Sequence, residues 1–333
     1  MPAMTSLILY SPSGVVAAAP LRRAARRLAA LGYQVEIDVS ALAKHQRFAG
    51  DDDTRLAALH RVAERAPDIA MATRGGYGLT RLLDRIDWPL IHRSIERGTR
   101  WVGHSDFTAL QLGLLAHTKG AGKAATGCAA RGHDHDHDDC ADPHHHAQPA
   151  AVGLTWAGPL ACGDFGGEAV CDITEPCFVE AMSGALEAVG FRTEAGFDGL
   201  AVRGTLWGGN LCMVASLLGT AHWPKPRTTR GGILFLEDIN EHPYRVERSL
   251  LQLHQAGVLD AQKAVLLGDF SGWRKSPLDR GYTLKTAIAH VRSLTKTPIL
   301  TGLPFGHVPT KVTMPVGAKV QLLVQGRDVL VGW

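Results

Sequence analysis

Residues 100–110 read Arg-Trp-Val-Gly-His-Ser-Asp-Phe-Thr-Ala-Leu. The run Arg100–Gly103 predicts a strand and Asp106–His117 predicts a helix, so Ser105 stands on a tight turn between them. A strand that leads directly into a helix is typical of α/β folds, whose sites lie beyond the carboxyl ends of the strands. The stretch therefore predicts an α/β fold with Ser105 at the edge of its sheet.

The chain before this turn alternates strand and helix in the same way. Apolar runs predict three strands and helical periodicity predicts two helices: strands at Ser6–Tyr10, Gln34–Val39 and Asp68–Ala72, and helices at Val15–Leu31 and Thr54–Arg65. Consecutive strand–helix units build a parallel sheet that is covered by helices. Residues 1–165 are therefore expected to form a parallel-sheet domain.

The rest of the chain is expected to divide into a connector and a second domain. Residues 166–198 predict a connector with a helix at Thr174–Val189. From Gly199 onward, apolar runs are short and separated by turn residues, which predicts a β-rich domain over residues 199–333. The total of 333 residues is the length of two ordinary domains.

Residues 118–150 interrupt this pattern. They are rich in Gly, Ala, His and Asp and contain the runs His133–His137 and His144–His146. With almost no large apolar side chain, they cannot bury enough surface to offset their ordering entropy, so we predict a flexible insertion. Its imidazoles favour adventitious binding of Zn²⁺ or Ni²⁺. A catalytic metal is not expected, because a flexible segment does not hold ligands in a fixed geometry.

Composition restricts the partners and the compartment. The formal charge is +3, and no basic stripe with interleaved aromatic residues indicates nucleic-acid binding. The six cysteines form no C-x-x-C pair, which favours reduced thiols in a cytoplasmic protein. Residues 1–10 lack the charged segment of a signal peptide, and no apolar stretch reaches the length of a membrane span.

The local sequence leaves two interpretations of Ser105 open. A serine at this turn can cap the following helix by accepting a hydrogen bond from a backbone N–H. It can also be a nucleophile, because N–H groups at a helix start can bind an oxyanion. The hydrolase elbow G-x-S-x-G requires a second glycine where this chain has Phe107, so an ordinary α/β-hydrolase is disfavoured.

A glycine-rich loop follows another predicted strand. Residues 74–78 read Arg-Gly-Gly-Tyr-Gly. Such a loop either lets its backbone approach a ligand closely or simply makes a tight turn. It lacks the lysine of a phosphate loop and the spacing of a dinucleotide fingerprint. No nucleotide cofactor is therefore predicted.

Two later segments carry acids and a histidine. The buried strand that ends at Leu236 is followed by Glu237 and Asp238, and paired acids at such a place either act in a site or pair with cations. Glu237 is suited to orient a histidine, and Asp238 to cap the next turn. His307 ends the rigid Gly/Pro loop 302–306, where it is either structural or catalytic.

Together these segments resemble the LD-carboxypeptidase family, serine peptidases that include muramoyl-tetrapeptide carboxypeptidase and the microcin C immunity peptidases. The resembling pieces occur in family order along nearly the whole chain: Arg74–Gly78, Gly103–Asp106, Gly208–Leu211 with Gly219–Thr220, Leu236–Asp238 with Tyr244–Arg245, and Pro304–His307 with Met314–Gly317. The resemblance implies a Rossmann-like amino-terminal domain, a β-rich carboxyl-terminal domain and a site between them. The chain departs from the pattern in its insertion and in His104, where a tyrosine is more usual.

The resemblance implies roles for five residues. Ser105 would be the nucleophile, and His307 the general base and then the general acid. Glu237 would orient His307. The backbone N–H groups of Asp106 and Gly76 would form the oxyanion hole.

The implied activity is release of terminal D-alanine from cytoplasmic muropeptide tetrapeptides in peptidoglycan recycling, by a homodimer without a cofactor. Arg74 and Tyr77 are the expected substrate contacts, with Arg74 either binding the terminal carboxylate or making a structural ion pair. The alternatives are a peptidase that cleaves aminoacyl-nucleotide conjugates, a metal-storage or metal-chaperone protein that uses the His-rich segment, and a binding module without catalysis.

Overall fold

The structure is a computed structural model that describes residues 4–118 and 154–333, so the expected insertion lies outside it except for Thr118. The strands are β1 Ser6–Tyr10, β2 Gln34–Ile37, β3 Ile69–Ala72, β4 Arg100–Gly103, β5 Thr155–Ala157, β6 Ala188–Arg192, β7 Ala201–Asn210, β8 Ile233–Ile239, β9 Ala264–Ser271, β10 Ile299–Thr301, β11 Met314–Val316, β12 Lys319–Gln325 and β13 Asp328–Gly332. The α-helices are α1 Ala18–Ala30, α2 Asp52–Arg65, α3 Trp88–Glu96, α4 Thr108–Ala116, α5 Thr174–Ser183, α6 Leu211–Leu217, α7 Pro226–Thr229, α8 Pro243–Gln255 and α9 Leu284–Leu294. Within the described ranges, none of these helices has the length and apolar character required to cross a membrane.

The strands form two sheets. The first has the order β11-β5-β4-β3-β1-β2 and is parallel except for β11, which pairs antiparallel with β5. The second has the order β10-β9-β8-β7-β12-β13-β6. Its first four strands are parallel and the others are antiparallel. The predicted α/β fold, with a parallel amino-terminal sheet and a β-rich carboxyl-terminal region, is confirmed.

Two strands, β6 and β11, belong to a different sheet from the strands that precede them in the chain. The helix predicted at Thr174–Val189 is too long: α5 ends at Ser183, because Gly184 adopts a left-handed conformation (φ +82°). Strand β6 follows and pairs with β13, so residues 166–198 contribute an edge strand to the second sheet. In the opposite direction, β11 crosses to the first sheet, where its three side chains are buried against β5. The division into residues 1–165, 166–198 and 199–333 stays a prediction, and these two strands lie across it.

Both faces of the first sheet are buried. Successive side chains of a strand point to opposite faces. Leu7 and Leu9 accordingly pack in a cluster with Leu21 of α1, whereas Ile8 and Tyr10 join the larger cluster that continues into the second sheet. A parallel strand buried on both faces needs a continuous apolar run, which β1 has.

Helix α4 lies between the two sheets. All nine of its residues are buried, as expected for a helix that is apolar on every side. At its start, the Thr108 hydroxyl accepts a hydrogen bond of 3.0 Å from the backbone N–H of Asn210, at the end of β7. A Cβ on Gly209 would lie 2.3 Å from the same hydroxyl oxygen, so glycine is required for this approach. The contact places the Ser105 turn against the carboxyl end of the second sheet's parallel strands.

Candidate active site

Ser105 lies on the turn between β4 and α4. Its φ angle is +64°, in the left-handed region that L-residues other than Gly, Asn and Asp seldom adopt. A short 3₁₀ helix, Ser105–Phe107, precedes α4, and its N-cap residue is His104. The Ser105 hydroxyl lies 2.9 Å from Nε2 of His307. The sequence alone allowed this hydroxyl to be either a helix cap or a nucleophile.

His307 makes a second hydrogen bond, to Glu237. Its Nδ1 lies 2.7 Å from Oε2 of Glu237. A carboxylate oxygen accepts, so Nδ1 donates, and in the neutral imidazole the bare Nε2 can accept the Ser105 O–H. Burial alone lowers the pKa of His307, but the hydrogen bond to Glu237 and its charge outweigh this effect, and the pKa is raised above 6.5. Ser105, His307 and Glu237 thus form one hydrogen-bonded line.

Glu237 is completely buried at the end of β8 and is held from its other side. The Asn210 side-chain Nδ2 donates to Oε1 of Glu237 at 3.3 Å and to Oδ1 of Asp238 at 3.0 Å. The Asn210 Oδ1 accepts from the backbone N–H of Met213 at 3.2 Å. Asn210 therefore connects the acidic pair to the start of α6. Sequence reasoning assigned it no role, although it stands in one of the quoted segments.

Asp238 does not contact His307. Its carboxylate accepts hydrogen bonds from Asn210 and from the backbone N–H groups of Cys212 and Ile239, so it caps the start of α6 rather than the turn that follows β8. The pKa of Asp238 is raised to about 6, because burial and, to a smaller degree, the charge of Glu237 outweigh the lowering effect of these hydrogen bonds. The two acids therefore share the Asn210 amide, but Glu237 bonds His307 whereas Asp238 bonds backbone N–H groups.

His104 packs against the ring of His307. Its ring lies edge-on to the His307 ring, with centroids 5.2 Å apart, and its Nδ1 is 2.9 Å from the carbonyl oxygen of Gly158. A carbonyl oxygen accepts, so Nδ1 donates. Burial lowers the pKa of His104. A buried imidazole with a lowered pKa thus packs against the His307 ring.

The glycine loop passes directly beside Ser105. A Cβ on Gly75 would lie 2.7 Å from the Ser105 Oγ and 3.4 Å from the backbone nitrogen of Asp106, so any larger residue would collide with the serine. The buried Asp106 carboxylate accepts a hydrogen bond of 2.9 Å from the backbone N–H of Leu79, which fastens the far end of the loop. Burial raises the pKa of Asp106, against the opposing effect of hydrogen bonds that include the one from Leu79.

The other predicted contacts lie further out on this loop. Gly76 is exposed, with φ of +105°. Arg74 is also exposed, makes no ion pair within the described part of the chain and donates to the carbonyl oxygen of Val15 at 2.9 Å. Tyr77 is 40% exposed. The structure thus brings Ser105 and His307 together but leaves Arg74 and Tyr77 at the rim, without a hydrogen bond to either.

A cavity of about 440 Å³ opens beside His307. Lys311 lines it and forms a buried ion pair with Asp164, while Lys311 also donates to the carbonyl oxygen of Val308. Among residues 4–118 and 154–333, no group of three or more His, Cys, Asp or Glu side chains is placed to hold a metal ion. The His-rich runs fall outside those residues.

Comparison with known proteins agrees with this architecture. Residues 8–124 match the LD-carboxypeptidase N-terminal domain, and residues 203–322 match the LD-carboxypeptidase C-terminal domain. A probable murein peptide carboxypeptidase of Bacillus subtilis is 28% identical over 88% of this chain and 80% of its own length.

Two solved structures are similar over nearly the whole chain. The crystal structure of muramoyltetrapeptide carboxypeptidase from Oxalobacter formigenes is 35% identical, with a TM-score of 0.80 and coverage of 99% of both chains. The microcin C7 self-immunity protein MccF has a TM-score of 0.77 at 19% identity, covering 100% of this chain and 97% of its own, and shows the fold alone.

The fold and these relatives define an enzyme of the carboxypeptidase class. The two domain models cover most of the chain, and the structural relative with 35% identity covers nearly all of it. The chain belongs to the LD-carboxypeptidase family.

Proposed function

We propose that this carboxypeptidase is a serine enzyme that releases the terminal D-alanine from muropeptide tetrapeptides. One observation carries the proposal: the hydrogen-bonded line from Ser105 through His307 to Glu237. The 35% identity to a muramoyltetrapeptide carboxypeptidase supports the choice of substrate. The proposal assigns Ser105 as nucleophile, His307 as base and acid, and Glu237 as the orienting carboxylate.

Acylation follows from the direction of these hydrogen bonds. The Ser105 Oγ attacks the carbonyl carbon of the scissile bond while its proton moves to Nε2 of His307, 2.9 Å away. The imidazolium that forms is stabilised by Glu237, whose buried carboxylate stays hydrogen-bonded to Nδ1. In a buried site this charge interaction is stronger than it would be in water. Glu237 also keeps the imidazole in the tautomer that can accept the proton.

The developing oxyanion needs hydrogen-bond donors close to Ser105. We assign this role to the backbone N–H groups of Asp106 and Gly76. Support comes from the close passage of Gly75, which brings the loop against Ser105 and near the Asp106 nitrogen. Preformed backbone donors stabilise a tetrahedral intermediate because they need no reorganisation during the reaction.

Collapse of the intermediate breaks the peptide bond. Nε2 of His307 returns the proton to the amine of the leaving D-alanine, which departs from the acyl-enzyme. Water then attacks the Ser105 ester while His307 takes its proton, and the second tetrahedral intermediate releases the shortened peptide. Ser105 regains its proton, so the cycle consumes one water molecule and leaves the enzyme unchanged.

We also propose an oligomeric state, a compartment and two further substrate contacts. The enzyme acts as a homodimer in the cytoplasm during peptidoglycan recycling, without nucleic-acid or membrane partners, and Arg74 and Tyr77 contact the substrate. Sedimentation analysis tests the dimer, and a monomer at micromolar concentration would contradict that part.

Free D-alanine release is the experiment that tests the activity. The purified enzyme is incubated with a tetrapeptide ending in diaminopimelyl-D-alanine and with the matched peptide ending in L-alanine, and mass spectrometry follows both. We expect D-alanine release and much slower cleavage of the L-isomer. Preference for the L-isomer would exclude LD-carboxypeptidase activity. Cleavage of an aminoacyl-nucleotide conjugate in place of either peptide would establish the alternative, which the likeness to MccF supports only at the level of the fold.

A further inference from the structure

A second cavity adjoins the glycine loop. Its volume is about 210 Å³. We call it the arginine cavity, and six residues line it: Gly14, Val15, Arg47, Arg74, Gly76 and Tyr77. Two of the six carry a guanidinium group, although the cavity is small.

In the part of the chain that the structure describes, neither guanidinium group pairs with a carboxylate. Arg47 lies over the Tyr77 ring, with its guanidinium carbon 5.7 Å from the ring centroid, and Arg74 donates only to the carbonyl oxygen of Val15. Within residues 4–118 and 154–333, neither makes an ion pair. Nearby arginines differ, since Arg81 is paired with Asp52. The arginine cavity therefore presents two cationic groups that no described carboxylate pairs with.

Backbone hydrogen bonds tie this cavity to the reactive serine. The Val15 N–H donates to the carbonyl oxygen of Arg47 at 3.0 Å, and the Gly14 N–H donates to that of Gly75 at 3.1 Å. Gly75 is the residue that passes against Ser105. The wall that carries Arg47 is thus connected through two backbone contacts to the loop beside the nucleophile.

We propose that Arg47, together with Arg74, binds the free terminal carboxylate of the peptide and so determines that the enzyme removes one residue from a carboxyl end. This inference rests on the proposed function, which it deepens. When an enzyme removes the last residue of a peptide, the terminal carboxylate belongs to the residue directly after the scissile carbonyl. The Cα atoms of the two residues that flank the scissile bond are about 3.8 Å apart. A subsite for it must therefore adjoin the oxyanion donors, as the arginine cavity adjoins Gly76.

The chemistry of the guanidinium group suits this role. Its planar array of N–H donors matches a carboxylate with two parallel hydrogen bonds, which lysine cannot reproduce. The face of Tyr77 stabilises the Arg47 cation before substrate arrives. Arg47 is a specificity residue in this scheme, and its contribution should disappear when the substrate carboxylate is replaced by an amide.

Binding to the Ser105→Ala protein tests the subsite without depending on turnover. Calorimetry compares the tetrapeptide with its carboxamide. We expect the free acid to bind about thirtyfold more tightly, because a charge-assisted hydrogen bond is lost in the amide. Adding Arg47→Ala should reduce this ratio about tenfold by weakening binding of the acid alone, and Arg47→Lys should give an intermediate ratio.

Arg26→Ala is the matched control, because it removes one exposed arginine from α1 and should leave the ratio unchanged. Equal affinity for acid and amide, failure to bind either, or an Arg47→Ala effect of the same size on both peptides would overturn the subsite. Turnover by the protein that retains Ser105 separates the two proposals. If acid-selective binding is present but D-alanine is not released, the proposed function fails while the arginine cavity stands as an anion subsite.

Discussion

Nε2 of His307 lies 2.9 Å from Oγ of Ser105, although 202 positions separate the two residues along the chain. Ser105 follows a strand of the first sheet, and His307 belongs to a loop beyond the second. Glu237, near the end of β8 in the second sheet, accepts a hydrogen bond from Nδ1 of His307. The proposed chemistry therefore depends on how the two sheets are packed together.

Replacing the proposed nucleophile should abolish activity without unfolding the protein. In Ser105→Ala, the acyl-enzyme cannot form, and loss of turnover on the order of a million-fold is expected. Rates of D-alanine release and far-ultraviolet circular dichroism are measured together. Ser293→Ala on the exposed face of α9 is the control and should keep full activity. A folded Ser105→Ala enzyme with more than about a hundredth of the wild-type rate would refute the assignment.

The left-handed backbone at Ser105 should be measurable as strain. With φ of +64°, alanine retains the unfavourable contact of Cβ with the backbone, whereas glycine avoids it. Ser105→Gly should therefore have a free energy of unfolding about 1 kcal/mol higher than Ser105→Ala. Urea denaturation of the two inactive variants gives the difference. Equal stability, or greater stability of the alanine variant, would show that the turn carries no such strain.

Glu237→Gln should lower turnover and shift the pH dependence. The amide can present a donor to Nδ1 and favour the wrong tautomer of His307, with a loss on the order of 10³–10⁴-fold. Glu237 also raises the pKa of His307 against the effect of burial. A general base acts when neutral, so kcat/KM rises with pH through that pKa. Without the carboxylate, the acidic limb of the profile should move to lower pH.

The control for this experiment is Glu187→Gln, an exposed glutamate near β6 that should leave both the rate and the profile unchanged. The residual activity of Glu237→Gln is sufficient to record the acidic limb if enzyme concentration is raised. A limb that stays in place, or moves to higher pH, would contradict the assignment of His307 as the base that Glu237 supports.

Asp238 should make stability depend on pH in the direction opposite to most carboxylates. Its folded pKa of about 6 exceeds the ordinary value of 3.8. Between these values the folded state binds more protons than the unfolded state, so the free energy of unfolding falls as pH rises through this window. Complete ionisation corresponds to about 3 kcal/mol. Wild type should therefore lose about 2.4 kcal/mol more stability than Asp238→Asn between pH 4 and pH 7.

Urea unfolding at both pH values checks this difference, with the exposed Asp172→Asn as the control whose pH dependence follows wild type. The comparison uses the change with pH in each protein, because the asparagine amide alters the hydrogen bonds from Cys212 and Ile239 at every pH. Parallel curves for wild type and Asp238→Asn would show that Asp238 is ionised normally in the fold.

The His-rich segment should bind metal without taking part in turnover. Glutamine at its six clustered histidines, His133, His135, His137, His144, His145 and His146, should greatly reduce binding of Ni²⁺ in calorimetry, because imidazole is the ligand removed. D-alanine release should be unchanged in this variant and in the presence of EDTA. Activity that is lost with EDTA and restored by Zn²⁺ would overturn the proposed serine mechanism.

Local signals in the amino-acid sequence specify many of the helices and strands and the residue types of the site. Helical periodicity, alternating strands and the Gly and Pro residues between them predict α1, α2 and α4 to within a few residues, because these signals act over one or two turns of the chain. Residue types at strand ends marked Ser105, Glu237 and His307 as candidates. Helices α3 and α9 and strands β6 and β11 are not among these predictions, although α3 begins with the N-cap Asp87 and α9 with the N-cap Thr283.

The tertiary structure alone decided which of these residues meet. Strand order places β8 beside β7, and the close contact of Gly209 with Thr108 brings Glu237 within reach of the Ser105 turn through His307. No local pattern specifies such pairings, because they depend on which distant segments bury surface against each other. The same reason explains why Asn210 and Arg47, unremarkable in sequence, lie beside the acids and the glycine loop.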